Sequence, residues 1–401
     1  MPIDEVLISA LAGDRRAAAR HGGTLVHLVF DAVADSVRVG DLRMGRILTL
    51  VPAMGGAFVD IGADRPGLLM RADVPPGQPF GEGEKVVVRV VRTPDGTKGA
   101  KLDARLPPLP VAAAGARAPA LLEAGADPVA ALLKAAAGPS LQRVVIDDAA
   151  TLAAVRTAVP AVAEALRFWQ EATPLFTAEG IDEAIEAALA PEVPLPSGGR
   201  LHIEETTALV AIDVDSGATG GGSSRAAALA CDREAAAEIG RQIRLRDLAG
   251  LIVVDFVPLR RPAEREQVLG ILRAALAGDD RHLRIGGWTR LGLLEMVRQR
   301  REPSLRRRLT VPCPTCTGAA AVRDPRWVAG AALRAALAQS RDHTSGPPVL
   351  TVPAAVAAAL NGPLAAARRD VEARLGCALA VAECGSLPAD GFHVQAAQRR
   401  R

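Results

Sequence analysis

Two stretches of the chain, ALVAIDVDSG at 208–217 and REAAAEIGRQIRLRDLAGLIVVDF at 233–256, determine its fold class. Each contains an apolar run of the length expected for a buried strand, and an aspartate ends each run. Between the runs, an amphipathic pattern from about 225 to 248 predicts a long helix. The alternation of strands and helices continues from 201 to 301, which indicates an α/β layer.

The two aspartates, Asp213 and Asp255, are the first candidates for chemistry. A carboxylate at the end of a buried strand is costly unless it lies in a cleft or has a partner. Sites in α/β layers are built at the carboxyl ends of strands, where two carboxylates can hold one Mg²⁺ through oxygen ligands. Such an ion can activate water and neutralise charge on a phosphate. In the alternative reading, each aspartate pairs with an arginine or caps the next helix.

The composition limits the class of protein. The 401 residues suffice for two or three domains, and 49% hydrophobic with 23% charged residues excludes disorder of the whole chain. No uncharged apolar run reaches the roughly 18–20 residues of a membrane span. Asp4 and Glu5 stand where a signal peptide would be cationic, and five cysteines do not form a disulfide framework. We therefore expect a cytoplasmic protein without a membrane span.

The net charge of +3 is too small for a global basic field, but the kind of cation is informative. Only four of the 48 cationic residues are lysines, and arginine presents a planar fork that suits phosphates. Six arginines lie between 298 and 308. A solvated surface is the alternative explanation for that cluster.

The rest of the chain alternates between short strands and helices. Residues 1–35 predict strands around a small helix that contains Arg15, Arg16 and Arg20. Short strands with glycine-rich turns at 36–105 predict a small barrel. A helical pattern, broken by one strand at 143–146, runs from 120 to 190, and 291–301 predicts a basic helix. Two alanine-rich helices are expected after residue 326.

The motif Cys313-Pro-Thr-Cys316 has the shape of half a tetrathiolate zinc site. No second pair with matching spacing exists in the chain, so two chains could each supply two thiolates. A redox dithiol or a pair of buried thiols are the alternatives.

Two further features admit a binding function. The small barrel could bind single-stranded nucleic acid, with Phe58 and Lys98 as candidates, although such a phenylalanine can equally be a core residue. The glycine-rich loop at 217–224 precedes a helix and could hold phosphate, but it lacks the ending of a nucleotide P-loop and can equally be a flexible turn.

These segments together resemble the ribonuclease E/ribonuclease G family of bacterial endoribonucleases. The two opening stretches look like the family's catalytic strands and the helix between them. The segments WTRLGLLEMVRQRREPSL (288–305) and CPTC (313–316) follow in the family order. GGAFVDIGADRPGLLM (55–70) and TKGAKL (97–102) look like its OB-fold (S1-type) RNA-binding domain, and VLTVPAAVAAAL (349–360) is more weakly similar.

The resemblance implies a function and its residues. Asp213 and Asp255 would bind the catalytic Mg²⁺, and water would attack single-stranded RNA to leave 5′-phosphate and 3′-hydroxyl ends. Cys313 and Cys316 would supply half of a shared zinc site in a homodimer or tetramer. The implied RNA contacts are Phe58, Lys98, Asp215, Arg290 and Arg298.

The resemblance also implies a multidomain α/β (α+β) fold with seven segments. They are N-terminal strands of an RNase H-like subdomain (1–35), an inserted OB-fold barrel (36–105), a linker in place of the 5′-sensor (106–119), the helical part of the RNase H-like subdomain (120–199), a DNase I-like catalytic subdomain (200–310), a zinc link (311–325) and a small C-terminal α/β domain (326–401).

Three positions depart from the family pattern. Asp215 stands where the family usually has an asparagine, and a third carboxylate would repel the phosphate unless a metal or a cation such as Arg244 or Arg246 faces it. Leu68 replaces an aromatic residue that contacts RNA. The strand with the family's 5′-monophosphate sensor has no counterpart after Arg105. A catalytically weak RNA-binding regulator is therefore the alternative function, and a nucleotide-binding enzyme is a third.

Because the sensor strand is missing, we expect cleavage to be independent of the 5′ end. Two RNAs that differ only in a 5′-phosphate or a 5′-hydroxyl should be cleaved at similar rates. A large preference for the 5′-monophosphate would refute this prediction.

Overall fold

The structure is a computed structural model, and its contacts divide it into two compact units, Met1–Leu309 and Thr310–Arg401. The residues it describes are 2–10, 15–31, 37–96, 98–107, 117–217, 225–279, 281–316, 318, 321–340 and 348–396. Most of the expected linker and of the glycine-rich loop therefore lies outside the described residues. Among the described helices, none combines the length and the apolar character that crossing a membrane requires.

The first unit begins with three antiparallel strands, β1 (Glu5–Ser9), β2 (Arg15–His21) and β3 (Thr24–Asp31). The helix predicted around Arg15 is wrong, because this segment is β2. Its alanines Ala17, Ala18 and Ala19 are all fully buried between the flanking strands. Burial of both faces in a central strand overrides the helix preference of alanine.

A closed five-stranded barrel follows, and it confirms the predicted small barrel. A sixth strand pairs with β4, where the sequence pattern predicted helix from Ala120. A Cβ at Gly67 would lie 2.6 Å from a Leu102 methyl group and 3.2 Å from the Ala100 carbonyl oxygen, so a larger residue would displace the fully buried Leu102 side chain. The six strands are β4 (Leu42–Val51), β5 (Gly56–Asp60), β6 (Gly67–Met70), β7 (Lys85–Arg92), β8 (Lys101–Asp103) and β9 (Ala120–Glu123).

The next segment returns the chain to the first sheet. Its elements are α1 (Pro128–Ala136), β10 (Arg143–Ile146), α2 (Ala149–Ala158), β11 (Leu166–Phe168), α3 (Leu175–Ala178) and α4 (Ile181–Leu189). Strand β10 is the predicted strand of this segment, whereas β11 was not predicted. The resulting sheet has the order β11-β10-β1-β2-β3, in which β10 runs parallel to β1.

A second, six-stranded sheet contains the two aspartates, and we call it the acidic sheet. Its order is β12-β13-β14-β15-β17-β16. Strands β14 and β15 are parallel and are joined by the long helix α5. The elements are β12 (Glu192–Pro194), β13 (Arg200–Glu205), β14 (Val210–Asp215), α5 (Arg225–Leu245), β15 (Gly250–Asp255), α6 (Pro262–Ala275), β16 (Leu283–Trp288) and β17 (Leu294–Arg298), followed by α7 (Leu305–Leu309).

One face of the acidic sheet packs on helices and the other is exposed. Ile212 and Val254 point toward the helices and join Ile239 and Val268 in one core. Of the two edge strands, β12 has only three residues and ends in Pro194, and β16 has an irregularity before Gly287. The sheet thus has one covered apolar face and one face open for function.

The basic helix predicted at 291–301 is wrong, because the segment contains β17. Leu294 and Met296 are buried, whereas Glu295 and Val297 are exposed. This alternation has the period of two that a strand requires. The cationic residues around it had masked that period in the sequence.

The second unit is a small three-stranded sheet with helices. Its sheet order is β19-β18-β20, and Leu350 and Val352 of β18 pack with Val328 and Leu360 of the helices. The elements are α8 (Pro325–Ser340), β18 (Pro348–Val352), α9 (Ala354–Asn361), α10 (Ala365–Leu375), β19 (Ala380–Glu383) and β20 (His393–Ala396).

Candidate active site

The two candidate acids lie side by side on the open face of the acidic sheet. Asp213 of β14 and Asp255 of β15 are directly opposite each other in the parallel register. Neighbouring strands are about 4.8 Å apart, so the two carboxylates project from adjacent positions. Both side chains are exposed, while the residues before and after them are buried.

Neither carboxylate has a hydrogen-bonding or ionic partner in the described part of the chain. No hydrogen bond or ion pair joins the carboxylate of Asp213 or Asp255 to another described residue, so the arginine-pairing and capping alternatives find no support there. No cluster of three or more metal-ligating side chains occurs among the described residues. The pair by itself fits an ion such as Mg²⁺, which takes one or two carboxylates and keeps several waters.

Asp215 has partners of its own. Its carboxylate accepts a hydrogen bond from the Gly217 N–H at 2.9 Å and one from Arg200 Nε at 3.0 Å. These two interactions, the backbone bond first, lower the pKa of Asp215 below its ordinary value. The cation that faces Asp215 is therefore Arg200, and not Arg244 or Arg246, the two candidates from the sequence. Arg246 is buried and donates instead to Gln242 and to the Ala190 carbonyl.

The same transverse row contains two residues that the sequence reasoning missed. His202 of β13 is opposite Asp213, and Glu192 of β12 is opposite His202. The imidazole Nε2 of His202 lies 3.0 Å from a carboxylate oxygen of Glu204. The alternating pattern of β13 could have placed His202 on the open face. That His202 lies beside Asp213 depends on the strand register, which the sequence does not give.

The turn between β16 and β17 lies at the same margin of the sheet as Asp255. Leu294 is opposite Val254, so the residues just before Leu294 adjoin the end of β15. Arg290 lies in this turn, is exposed, and has no partner among the described residues. Leu291, beside it, is 90% exposed. The turn is positioned by Trp288, whose ring packs on Phe256 with centroids 5.5 Å apart.

Arg298 does not fit its expected role as an RNA contact. It is 3% exposed, and its guanidinium pairs with Asp247 at 2.6 Å and with Asp279 at 2.9 Å. These carboxylates raise the pKa of Arg298 despite its burial. Arg298 is therefore a structural cation of the sheet, at the opposite end of β17 from the acids.

The two candidate RNA contacts of the barrel are on its surface. Phe58 is 37% exposed, and it lies opposite Leu68 in the barrel wall, so Phe58 is not a core residue. Lys98 is exposed in the turn that Asp95 begins, where the two residues exchange backbone hydrogen bonds of 3.0 Å. Neither side chain has a bond to the acidic sheet within the described chain.

The barrel contacts the segment that follows β17, at the end of the acidic sheet remote from the acids. The Thr93 N–H donates to the Arg301 carbonyl at 2.9 Å, and Arg307 pairs with Asp95 at 2.9 Å. Because β15 and β17 are antiparallel, the end of β17 adjoins the start of β15. The structure thus brings Asp213, Asp255 and Arg290 to one margin and the Lys98 turn to the other.

In the second unit, Cys313 is exposed and Cys316 is half-buried, and both are free thiols. Hydrogen bonds from the backbone N–H groups of Cys316 and Thr315, followed by the Cys316 side chain, lower the pKa of the Cys313 thiol. A thiol held in this way ionises more readily, and the thiolate is the form that binds metal.

Comparison with known proteins identifies the family of this arrangement. The Ribonuclease E/G family matches residues 109–301, which include both aspartates and all of the acidic sheet. The chain is 43% identical to ribonuclease E of Escherichia coli over 166 residues. It is 26% identical to the ribonuclease G proteins of Haemophilus influenzae and Salmonella typhimurium, over 80% and 93% of its own length. The chain belongs to the ribonuclease E/G family.

The extent of these likenesses differs between the relatives. The chain spans only 16% of the length of the Escherichia coli ribonuclease E, but 84% and 95% of the two ribonuclease G proteins. The ribonuclease E/G match does not include strands β4–β8 of the barrel or the Cys313 motif. The likeness at family level is therefore concentrated in the part of the chain that carries the acids.

The distinction between Arg298 and Arg290 can be tested by stability. Arg298→Met should destabilise the fold by about 3–5 kcal/mol, because it removes the ion pair of the buried Asp279 and one of the two arginines that pair with Asp247. Arg290→Met changes an exposed side chain and should shift the free energy of unfolding by no more than about 0.5 kcal/mol. Urea denaturation of both variants measures the difference, and equal stabilities would contradict the structural role of Arg298.

Proposed function

We propose that this member of the ribonuclease E/G family, an endoribonuclease of RNA processing or decay, hydrolyses single-stranded RNA with Mg²⁺ held by Asp213 and Asp255. The products are 5′-phosphate and 3′-hydroxyl ends. The observation that supports the proposal is the juxtaposition of two exposed, unpaired carboxylates on parallel strands. Such a pair has no evident structural purpose, since its charges repel each other when no cation is present.

The donor set matches the proposed ion. Oxygen ligands from one or two carboxylates, completed by water and substrate phosphate, are typical of Mg²⁺ sites that process phosphate esters. When bound, Mg²⁺ supplies an activated water and neutralises charge on the phosphate. The absence of a third carboxylate or histidine ligand among the described residues agrees with a site that substrate completes.

The neighbouring residues of the chain prepare the site for an anionic substrate. Arg290 offers an exposed guanidinium at the margin where Asp255 lies, and it can donate to an RNA phosphate. Arg200 and the Gly217 N–H engage Asp215, which reduces the repulsion that an extra carboxylate would exert on the substrate. The site therefore tolerates the departure at position 215.

The barrel supplies a second region of RNA contact. Phe58 offers a partly exposed ring on which a base can stack, and Lys98 offers an ammonium group for the backbone. Since the barrel adjoins the acidic sheet at the margin remote from the acids, the RNA must extend over several nucleotides to reach both regions. Base pairing is incompatible with stacking on Phe58, which favours a single strand.

The alternative function is a catalytically weak RNA-binding regulator of the same fold. The observation in its favour is Asp215, whose carboxylate lies two residues after Asp213 on the open face. Binding of RNA without Mg²⁺-dependent cleavage would favour this alternative.

The catalytic proposal predicts a specific loss. Asp213→Asn and Asp255→Asn should each lower cleavage of an AU-rich single-stranded oligonucleotide at least about a hundredfold, because each removes one of two anionic metal ligands. EDTA should abolish the activity of the unmodified chain. Electrophoresis of a 5′-labelled RNA measures the rates and identifies the ends.

Glu192→Gln is the matched control for these variants. It makes the same carboxylate-to-amide change in the same row, but two strands away from Asp213, and should leave the rate almost unchanged. Cleavage by Asp255→Asn at the unmodified rate would contradict the proposal.

We further propose that Cys313 and Cys316 hold half of a zinc site that a second copy of the chain completes. A structural zinc site requires four ligands, and this motif supplies two. The lowered pKa of the Cys313 thiol favours the thiolate that zinc binds. The assembly is a homodimer or a tetramer built from such dimers.

The shared zinc site predicts a coupled loss of metal and mass. The double variant Cys313→Ser, Cys316→Ser should release zinc and halve the mass, because no ligand then joins the two chains. Light scattering and elemental analysis measure the two quantities. Cys377→Ser, in the same unit, is the control, and a double variant that keeps its zinc and its mass would disprove the shared site.

A further inference from the structure

Helix α5 carries a carboxyl group that the catalytic proposal does not use. Asp232 is 0% exposed and lies on the side of α5 that faces the core. One of its oxygens accepts a hydrogen bond from the Val257 N–H at 3.0 Å. The other oxygen is also buried and has no hydrogen-bond partner among the described residues. A half-satisfied buried carboxyl is costly, so it calls for an explanation.

The hydrogen-bond donor to Asp232 lies just after one of the two candidate metal ligands. Val257 is the second residue after Asp255, where the main chain leaves β15. Beyond the end of a strand, a backbone N–H has lost its partner in the sheet, and the Asp232 oxygen takes that place. Between the two residues, Phe256 is buried against Trp288. The chain just after Asp255 is therefore held by a hydrogen bond and by a ring contact.

The state of the Asp232 carboxyl follows from its surroundings. Burial raises its pKa to about 7, and the hydrogen bond from Val257 opposes that rise. Within the described parts of the chain, no ionised side chain contributes to the shift. The adjacent titratable group is the Cys231 thiol, whose pKa is itself raised, first by burial and then by the Asp232 charge. Near neutral pH, the carboxyl is thus protonated in a large share of molecules.

We propose that Asp232 is a positioning residue, which fixes the main chain from Asp255 to Val257 and so aims the Asp255 carboxylate at the metal. The metal-binding part of this inference rests on the proposed function. A carboxylate that must meet an ion together with Asp213 tolerates little displacement of its backbone. The hydrogen bond from the Val257 N–H to Asp232 of helix α5 restrains the backbone just after Asp255. It leaves the open face of the sheet free.

Three variants separate positioning from mere core packing. Asp232→Asn keeps an oxygen that can accept from Val257, whereas Asp232→Leu keeps the branched shape, with bulkier methyl groups, but removes the acceptor. Gln242→Leu is the matched control, since Gln242 is a buried polar residue of the same helix whose hydrogen bonds are to Glu238 and Arg246. Positioning requires the asparagine variant to behave like the unmodified chain and the leucine variant to differ from the control.

Two readouts that need no RNA test the proposal directly. Hydrogen exchange of the Val257 amide should accelerate at least about tenfold in Asp232→Leu, and remain slow in Asp232→Asn and Gln242→Leu. Mn²⁺, used as a spectroscopic probe for the site, should bind Asp232→Leu about 10–100-fold more weakly, while the other two variants bind like the unmodified chain. Unchanged exchange and unchanged Mn²⁺ binding in Asp232→Leu would overturn the proposal.

The pH dependence of stability provides a test that does not depend on the leucine variant folding. Because the pKa of Asp232 is raised above its unfolded value, its contribution to stability is complete below about pH 4 and is lost as the pH rises through about 7. The melting temperature of Asp232→Asn should therefore gain on that of the unmodified chain between pH 5 and pH 8. If the difference in melting temperature between the two chains does not change with pH, a buried Asp232 carboxyl with a raised pKa is refuted.

The same measurements separate this proposal from the proposed function. If the unmodified chain binds Mn²⁺ but cleaves no RNA, the nuclease proposal fails while the Mn²⁺ series still decides the role of Asp232. If it cleaves RNA and Asp232→Leu cleaves equally well with equal Mg²⁺ dependence, only the positioning role fails. If it binds no Mn²⁺, both are refuted.

Discussion

The parallel pairing of β14 with β15 is the interaction on which the rest of the site depends. Only parallel strands bring their carboxyl ends to the same margin of a sheet, and here the register sets Asp213 beside Asp255. A shift of one residue would turn one of the acids toward the helices, because side chains alternate between the faces. The crossover helix α5 and the apolar face beneath it stabilise this register. The chemistry of the open face is thus specified by packing on the opposite face.

Arginine has two separate uses in this protein, and the sequence alone does not distinguish them. Arg298 pairs with Asp247 and Asp279 under the sheet, and Arg43 pairs with Asp41 at 2.8 Å in the barrel. Such buried pairs are costly to break, because removal of one partner leaves an uncompensated charge. Exposed arginines such as Arg290 remain available to an anion. A cluster of cations in a sequence is therefore weak evidence of an RNA surface until the partners are known.

Much of the architecture was predictable from the sequence, for physical reasons that are specific to each element. The runs before Asp213 and Asp255 are apolar throughout, as expected of strands covered on one side and flanked by neighbours, and the helix between them is long and periodic. The small barrel followed from its short, evenly spaced strands. By contrast, β2 is rich in alanine and β17 is surrounded by cations, so local preference indicated helix while tertiary burial enforced a strand. His202 and Asp232 were missed because their importance lies in cross-strand and helix-to-loop neighbours.

The two edge strands of the acidic sheet, β12 and β16, have a consequence for how copies of the chain can associate. Strand β12 has three residues and ends in a proline that has no N–H to donate, and the irregularity in β16 interrupts the regular spacing of its free backbone groups. Both edge strands are therefore poor templates for the strand of another molecule. The sheet is consequently protected from edge-to-edge aggregation, even though its strands are among the most apolar segments of the chain.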